Sequence, residues 1–317
     1  MTAFIIRRLL YTVPVVFGVL LLTFVLFTLI GGDISYQIAG KNADAETIAE
    51  IRHEYGLDKP LFIGNPGEFF NSQFIDHFKK ALTFDFGYDL NRELILERIG
   101  RGVVPSLALM VPMFLGTLAI SISLALIVAF VRGSLWDVIL VVICVAGMSI
   151  PYLSFIIFGQ FFFAYQLDLF PIFFVPDQSI WVSVALPIVI GIAAGLGNNL
   201  RFYRTVMLDE MQCDYVRTAF AKGLSTRKVL FKHVLKNAMI PILTNVVLSI
   251  PYLILGSLLL ERFFGIPGLG DMMIQAINAR DFFVLNAMTF MMSLLIVAFT
   301  LLTDMCYAWV DPRVSLG

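Results

Sequence analysis

The sequence predicts an all-α membrane protein with six transmembrane helices and a small helical extracytoplasmic insertion between the first and second. Three observations lead there. Hydrophobic residues make up 59% of the 317 positions and charged residues only 14%, where soluble domains carry about 25% charge. Long apolar runs recur at the ~20-residue length that a helix needs to cross the hydrocarbon core. The remaining charge is gathered between those runs, and the mean hydropathy is +0.88.

In order, the expected spans are 9–30, 104–131, 135–165, 180–200, 240–260 and 283–310. Arg7 and Arg8 precede the first. A cleaved signal has an apolar core of about 7–15 residues and a small-residue cleavage site, so this longer run reads as an uncleaved span. A twin-arginine export signal is the weaker alternative. Pro105, Pro112, Pro151, Pro187 and Pro251 fall in spans, where a missing backbone bond kinks a helix. Whether such kinks serve packing or gating is open. Gly191, Ala193, Ala194, Gly195 and Gly197 suit close helix contact on the fourth span.

Six crossings place 31–103, 166–179 and 261–282 on one side and 132–134, 201–239 and both termini on the other. Between 201 and 236 there are eight Lys/Arg against Asp209, Glu210 and Asp214. The positive-inside rule makes that side cytoplasmic. Asp304, near the inner end of the last span, is the main charge within the spans and reads as an interface or packing carboxylate. Ion-coupled carriers place acids or histidines at mid-membrane, so a secondary carrier is disfavoured. Cys144, Cys213 and Cys306 are too scattered for a disulfide framework or metal site. No residue is expected to act as a catalyst or metal ligand, no phosphate loop or H-E-x-x-H is present, and no nucleic-acid partner is expected.

The outer insertion reads as three short helices. Residues 43–55 alternate Ile48, Ile51 and Tyr55 with Glu46, Glu50 and Glu54, and Asp44 is placed to cap them. Residues 56–60 form a stop and turn. A second helix is expected over 68–82 and a third over 91–101. His53 and His77 read as surface residues. Phe161, Phe162 and Phe163 of the third span suit packing more readily than a lining of the path.

The inner segment reads as a helical hairpin. A helix is expected over 207–222, with Gly223 as its left-handed cap. Ser225 or Thr226 can cap a second helix over 227–238. There Lys228, Lys232 and Lys236 make a basic face against Val229, Leu230, Val234 and Leu235, suited to anionic headgroups and membrane lipid. On the first helix Tyr215, Val216, Ala219 and Phe220 make a compact face, flanked by Asp214, Arg217 and Lys222. The spacing alone leaves two readings open: docking into a partner's groove and interfacial packing.

Beyond spacing, the stretch DYVRTAFAKGLSTRKVLFKHVLKNAMIP resembles the cytoplasmic EAA loop of ABC-transporter permeases in the dipeptide/oligopeptide/nickel importer family. Arg217-Thr218-Ala219 would take the Glu-Ala-Ala positions and Gly223 the loop glycine. The likeness runs almost end to end through IIRRLLYTVPVV, YGLDKPL, FDFG, GIPGLG, RDF and DPR. The long outer segment and terminal DPR resemble the B-type subunit, while 62–72 departs from the family's compact spacing.

The resemblance implies a type I importer fold. It implies a second homologous permease, an extracytoplasmic substrate-binding protein, and two cytoplasmic ATPases that bind the ATP and magnesium; the chain itself would need no cofactor. It implies localisation in the bacterial cytoplasmic membrane. The ATPase-docking residues would be Asp214, Tyr215, Val216, Arg217, Thr218, Ala219, Phe220, Ala221, Lys222, Gly223 and Leu224. Ile266, Pro267, Gly268, Leu269 and Gly270 would touch the binding protein, or form an ordinary turn. Cargo is expected to be di- or oligopeptides, with a peptide antibiotic or a nickel complex as alternatives. An ion-coupled carrier, an intramembrane enzyme and a lipid or drug exporter are the rival classes.

Overall fold

The computed structural model describes residues 2–30, 34–39, 43–65 and 67–310. The expectations on the side chains of Arg8, Pro251, Asp304 and Cys306, and on Asp311-Pro312-Arg313, lie outside the described residues. In chain order the helices are α1 (Thr2–Phe24), α2 (Ser35–Ala39), α3 (Ala45–Glu54), α4 (Gln73–Leu82), α5 (Ile95–Phe130), α6 (Leu135–Ser149), α7 (Tyr152–Gly159), α8 (Ile180–Met211), α9 (Asp214–Ala221), α10 (Thr226–Val229), α11 (Leu235–Leu255), α12 (Leu258–Phe264), α13 (Leu269–Ala279) and α14 (Phe282–Val310). Wider π-helical turns continue α1, α7 and α10. Among the described residues, five helices are long and apolar enough to cross a membrane, or six if the bent pair α6–α7 forms one span.

The differences from the expected spans have local causes. The 135–165 span is bent by 93° between α6 and α7. Pro151 disfavours helical backbone at the residue before it, and Ile150 is extended, at φ −85° and ψ 125°. Pro105, Pro112 and Pro187 by contrast sit inside continuous helices. The expected short helix at 91–101 is instead the start of α5, which begins at Ile95. The span expected to end at 200 runs on to Met211, so that α8 is about 48 Å long.

Contacts divide the chain into two compact units, one of residues 1–102 with 272–317 and one of 103–271. In the first, α1 packs on α14 and α4. Leu20, Ala81 and Phe290 form its buried cluster. Asp44 caps α3 as expected, accepting from the Thr47 N–H at 2.9 Å. Ser72 caps α4, which starts at Gln73 rather than 68. Asp281 accounts for the Arg-Asp-Phe block. Its carboxylate accepts from the Val284 N–H at the start of α14 and from the Leu90 N–H.

His77 is not a surface residue. It stacks near Phe24 and lies within hydrogen-bond distance of Thr23 Oγ1 and of Asn286 Nδ2, at 3.4 and 3.1 Å. The apolar spacing of α4 turns this side chain toward α1 along with Phe74 and Phe78.

In the second unit, α8 is the central helix, touching α6, α7, α11 and α12. Its small residues are used as the sequence suggests. A Cβ at Gly197 would come within 3.0 Å of the Cys144 carbonyl, and one at Gly191 within 2.0 Å of Met113 Sδ.

Burial pushes the His77 pKa down to about 4, and nearby Lys80 adds to that, against a hydrogen bond that the ring donates to the backbone of Leu20. The unfolded chain therefore binds more protons between about pH 6.5 and 4. Stability is full above that window and falls by about 3 kcal/mol as the pH drops through it. Unfolding monitored against pH should show this slope, and His77→Gln should flatten it. An unchanged slope in the variant would contradict a buried neutral imidazole.

Candidate functional site

Two places gather the residues singled out by sequence. The first is α9, the eight-residue helix between α8 and α10. The expected helix 207–222 is broken: α8 stops at Met211, Cys213 is extended at φ −68° and ψ 147°, and α9 restarts at Asp214. An acidic residue in a helix's first turn is favoured by the backbone dipole, which suits Asp214 as the restart. The helix then ends on Gly223, whose φ of +76° is the left-handed conformation expected of it. Ser225 holds the cap position of α10 without a side-chain bond, and α10 leads through a wide turn into α11, so the second hairpin helix and the fifth span are one rod.

The face expected to meet a partner is only partly available. Val216 and Ala219, three residues apart and so on one side of the helix, are 1% and 4% exposed. They join Ala125 and Ala129 of α5, Tyr203 and Met207 of α8, and Val234 and Ala238 before and within α11 in one apolar cluster. Tyr215 is half-buried, with its hydroxyl on the Glu210 carboxylate. Burial first, and Glu210 second, push the Tyr215 hydroxyl up to about 12, so it remains a donor at neutral pH. Leu224 is half-buried beside the same cluster. The outward set is Asp214, Arg217, Thr218, Phe220, Ala221, Lys222 and Gly223. A short helix thus has its apolar side in its own protein and a mixed charged and aromatic side outside.

The second place is the 265–270 loop. It does not project as a string of exposed residues: Ile266, Gly268, Leu269 and Gly270 are buried and Pro267 is exposed. The cause is Glu261, fully buried on α12. One carboxylate oxygen accepts from Ser106 Oγ at 2.8 Å and the Ser257 N–H at 3.2 Å. The other accepts from the N–H groups of Gly270 and Asp271, at 2.7 and 3.1 Å. Ser106 Oγ in turn accepts from the Leu269 N–H at 2.8 Å. The free N–H groups at the start of α13 are thereby satisfied by a carboxylate from the same chain. Burial raises the Glu261 pKa while these four donors pull it down. Gly268 and Gly270 follow from this packing, because a Cβ at them would stand 2.4 and 2.9 Å from the carboxylate; one at Gly256, before α12, would stand 2.2 Å from it.

Sequence reasoning missed Glu261 as the organiser of its loop. It also missed the pair formed by Asp137, at the start of α6, and Arg204 of α8. That guanidinium contacts both Asp137 oxygens, at 2.8 and 3.1 Å. Asp137 and Arg204 are 67 positions apart, and Ser106 is 155 positions from Glu261. Only an acid or base at the edge of a span hints that a partner exists.

A family model described as binding-protein-dependent transport system inner membrane component matches residues 121–316. Its N-terminal companion matches residues 1–83. The chain is 34% identical to a putative peptide transport system permease protein of Brucella suis biovar 1, over 99% of both chains. It is 31% identical to a glutathione transport system permease protein of Escherichia coli, again over 99% of both. A dipeptide transport system permease protein of Alkalihalophilus pseudofirmus is 30% identical over 99% of this chain and all of the relative.

The two glycine sites should respond differently to the same added methyl. Nothing lies within 4 Å of a Cβ at Gly223, so Gly223→Ala costs only the left-handed backbone strain of about 1–2 kcal/mol. Gly268→Ala must displace a hydrogen-bonded buried carboxylate and should cost clearly more. Glu261→Gln should behave like Gly268→Ala, because an amide N–H₂ would face backbone donors. Thermal unfolding of the purified variants checks this, and equal losses at 223 and 268 would contradict it.

Proposed function

The chain belongs to the family of binding-protein-dependent transport system inner membrane components, and from that premise we propose how it works as the permease of an ATP-driven peptide importer. It is a non-catalytic membrane subunit. Three relatives, each matched over 99% or more of its length and named for peptide, dipeptide and glutathione transport, support peptides as the substrate class. The transport system includes ATPase subunits and a binding protein. The finer assembly is part of the proposal: a second homologous permease completes the pore, two ATPases hold the ATP and magnesium, and both termini face the cytoplasm with segment 201–239.

The observation that carries the mechanism is the two-sided character of α9. Its outward side, with Arg217, Phe220 and Lys222, is the surface for an ATPase cleft. Its inward side, Val216 and Ala219, is set in the cluster that also contains the ends of α5 and α8. A push on α9 is then delivered to the spans through close-packed apolar contacts, which are stiff. ATP binding closes the ATPases and drives the permease halves outward-facing; hydrolysis resets them. On the opposite side Pro267, exposed with Gly265 in the 265–270 loop, is left free to meet the binding protein, and Glu261 holds the buried residues in place.

Ala219→Glu is therefore expected to damage the permease itself, since the charge enters its own core, whereas exposed positions report on docking. In liposomes holding the permease, its partner permease, the ATPases and the binding protein, peptide uptake should require ATP. Arg217→Glu with Phe220→Ala should cut uptake at least about tenfold, with the variant's unfolding temperature unchanged. Uptake by the permease alone under a proton gradient would overturn the importer reading. Undiminished uptake in the double variant would overturn the role of α9.

A further inference from the structure

Apart from α9 and the 265–270 loop, the second unit has a groove of about 260 Å³ between α5, α6 and α8. Its walls are apolar, built from Val128 of α5, Val141 and Val145 of α6 and Leu200 of α8. At its mouth are Arg201, Arg204 and Thr205. The two guanidinium groups are not equivalent. Arg204 is committed to Asp137, while the exposed Arg201 side chain makes no ion pair or hydrogen bond among the described residues. The Thr205 hydroxyl, also at the mouth, turns back onto the Arg201 carbonyl.

What lies outside the groove is also informative. The open side of α6 is apolar along its length, with Val138, Val142 and Val145 all at least half exposed. Leu135 and Trp136, at the end of that helix nearest the charges, are 80% and 67% exposed. Tryptophan at the end of a bare apolar face marks the boundary between hydrocarbon and headgroups. A slot lined by valines that opens on such a face, with a spare cation at its polar end, has the chemistry of a lipid: a chain for the slot and a phosphate for the cation.

We propose that this groove binds one anionic phospholipid of the cytoplasmic leaflet, with an acyl chain along Val128, Val141 and Val145 and the phosphate on Arg201. The leaflet assignment rests on the proposed orientation of segment 201–239. Basic pockets between spans on that side of a membrane are suited to acidic headgroups, and a planar guanidinium pairs with phosphate through two parallel hydrogen bonds. The bound lipid would lie against the Asp137–Arg204 pair and the α8 rod that leads to α9, so the acidity of the membrane would bear on the helix that couples to ATP.

The test uses the assembled transporter in nanodiscs of phosphatidylcholine doped with phosphatidylglycerol, with retained lipid counted by native mass spectrometry after detergent extraction. The wild type should retain phosphatidylglycerol preferentially. Arg201→Gln should lower that preference about fivefold, the factor one basic residue contributes at an anionic surface. Val145→Trp, which fills the slot, should lower it similarly, and Arg201→Lys should keep most of it. Arg227→Gln removes an exposed positive charge outside both the groove and the lysine face of the second hairpin helix, and should leave the preference intact. Wild-type retention in both Arg201→Gln and Val145→Trp would overturn the site. So would an equal loss in Arg227→Gln, which would mean diffuse attraction only, or a photo-crosslinker at Val145 that captures the second permease instead of lipid. Retention is read without uptake, so this proposal can fail while the importer reading stands.

Discussion

The insertion of Val216 and Ala219 into the protein's own core is the contact on which the functional account depends. A helix of eight residues has little stability by itself. Here it is held by burying one side against α5, α8 and the rod that becomes α11. That burial makes the helix part of the transmembrane body rather than a tethered loop. It also decides which residues remain for a partner. The proposed docking surface and the anchor are opposite sides of the same two turns.

The far end of the second unit solves a related problem with polarity instead of packing. A break between helices near the membrane leaves backbone N–H groups without partners, and there is little water to satisfy them. Glu261 supplies the acceptor, and Ser106 extends the network onto α5. Gly268 and Gly270 are then a consequence of how closely the backbone wraps a carboxylate, while Gly265 supplies the left-handed cap of α12. At one end of the unit the fixed point is apolar, at the other it is an anion.

Much of this was legible in the chain. The spans follow from apolar run length, Asp44 and Gly223 from cap chemistry, and the small residues of α8 from close packing. These are local rules. The break at Gln212–Cys213, the inward turn of Val216 and Ala219, and the burial of His77 were not legible, because each depends on which neighbour an amphipathic face meets. A four-residue face of tyrosine, valine, alanine and phenylalanine looks the same whether it packs on its own protein or on another. The 265–270 motif could be seen but not explained. Its explanation lies in a glutamate that is one of many acids in the sequence, and in a serine 155 positions away. Pro151 was legible as a helix breaker, though not as the site of a 93° bend.

The claim that α9 moves as one body with the spans is tested most directly by a distance. Spin labels at Thr218 on α9 and Thr205 on α8 are both on exposed positions, and their separation can be measured by pulsed electron resonance in the assembled transporter, with and without trapped ATP. The account predicts one narrow distribution that does not shift between the two states, because the apolar cluster beneath the labels stays packed. A second population, or a shift approaching one helical turn of about 5.4 Å, would show α9 sliding over the spans and would contradict it.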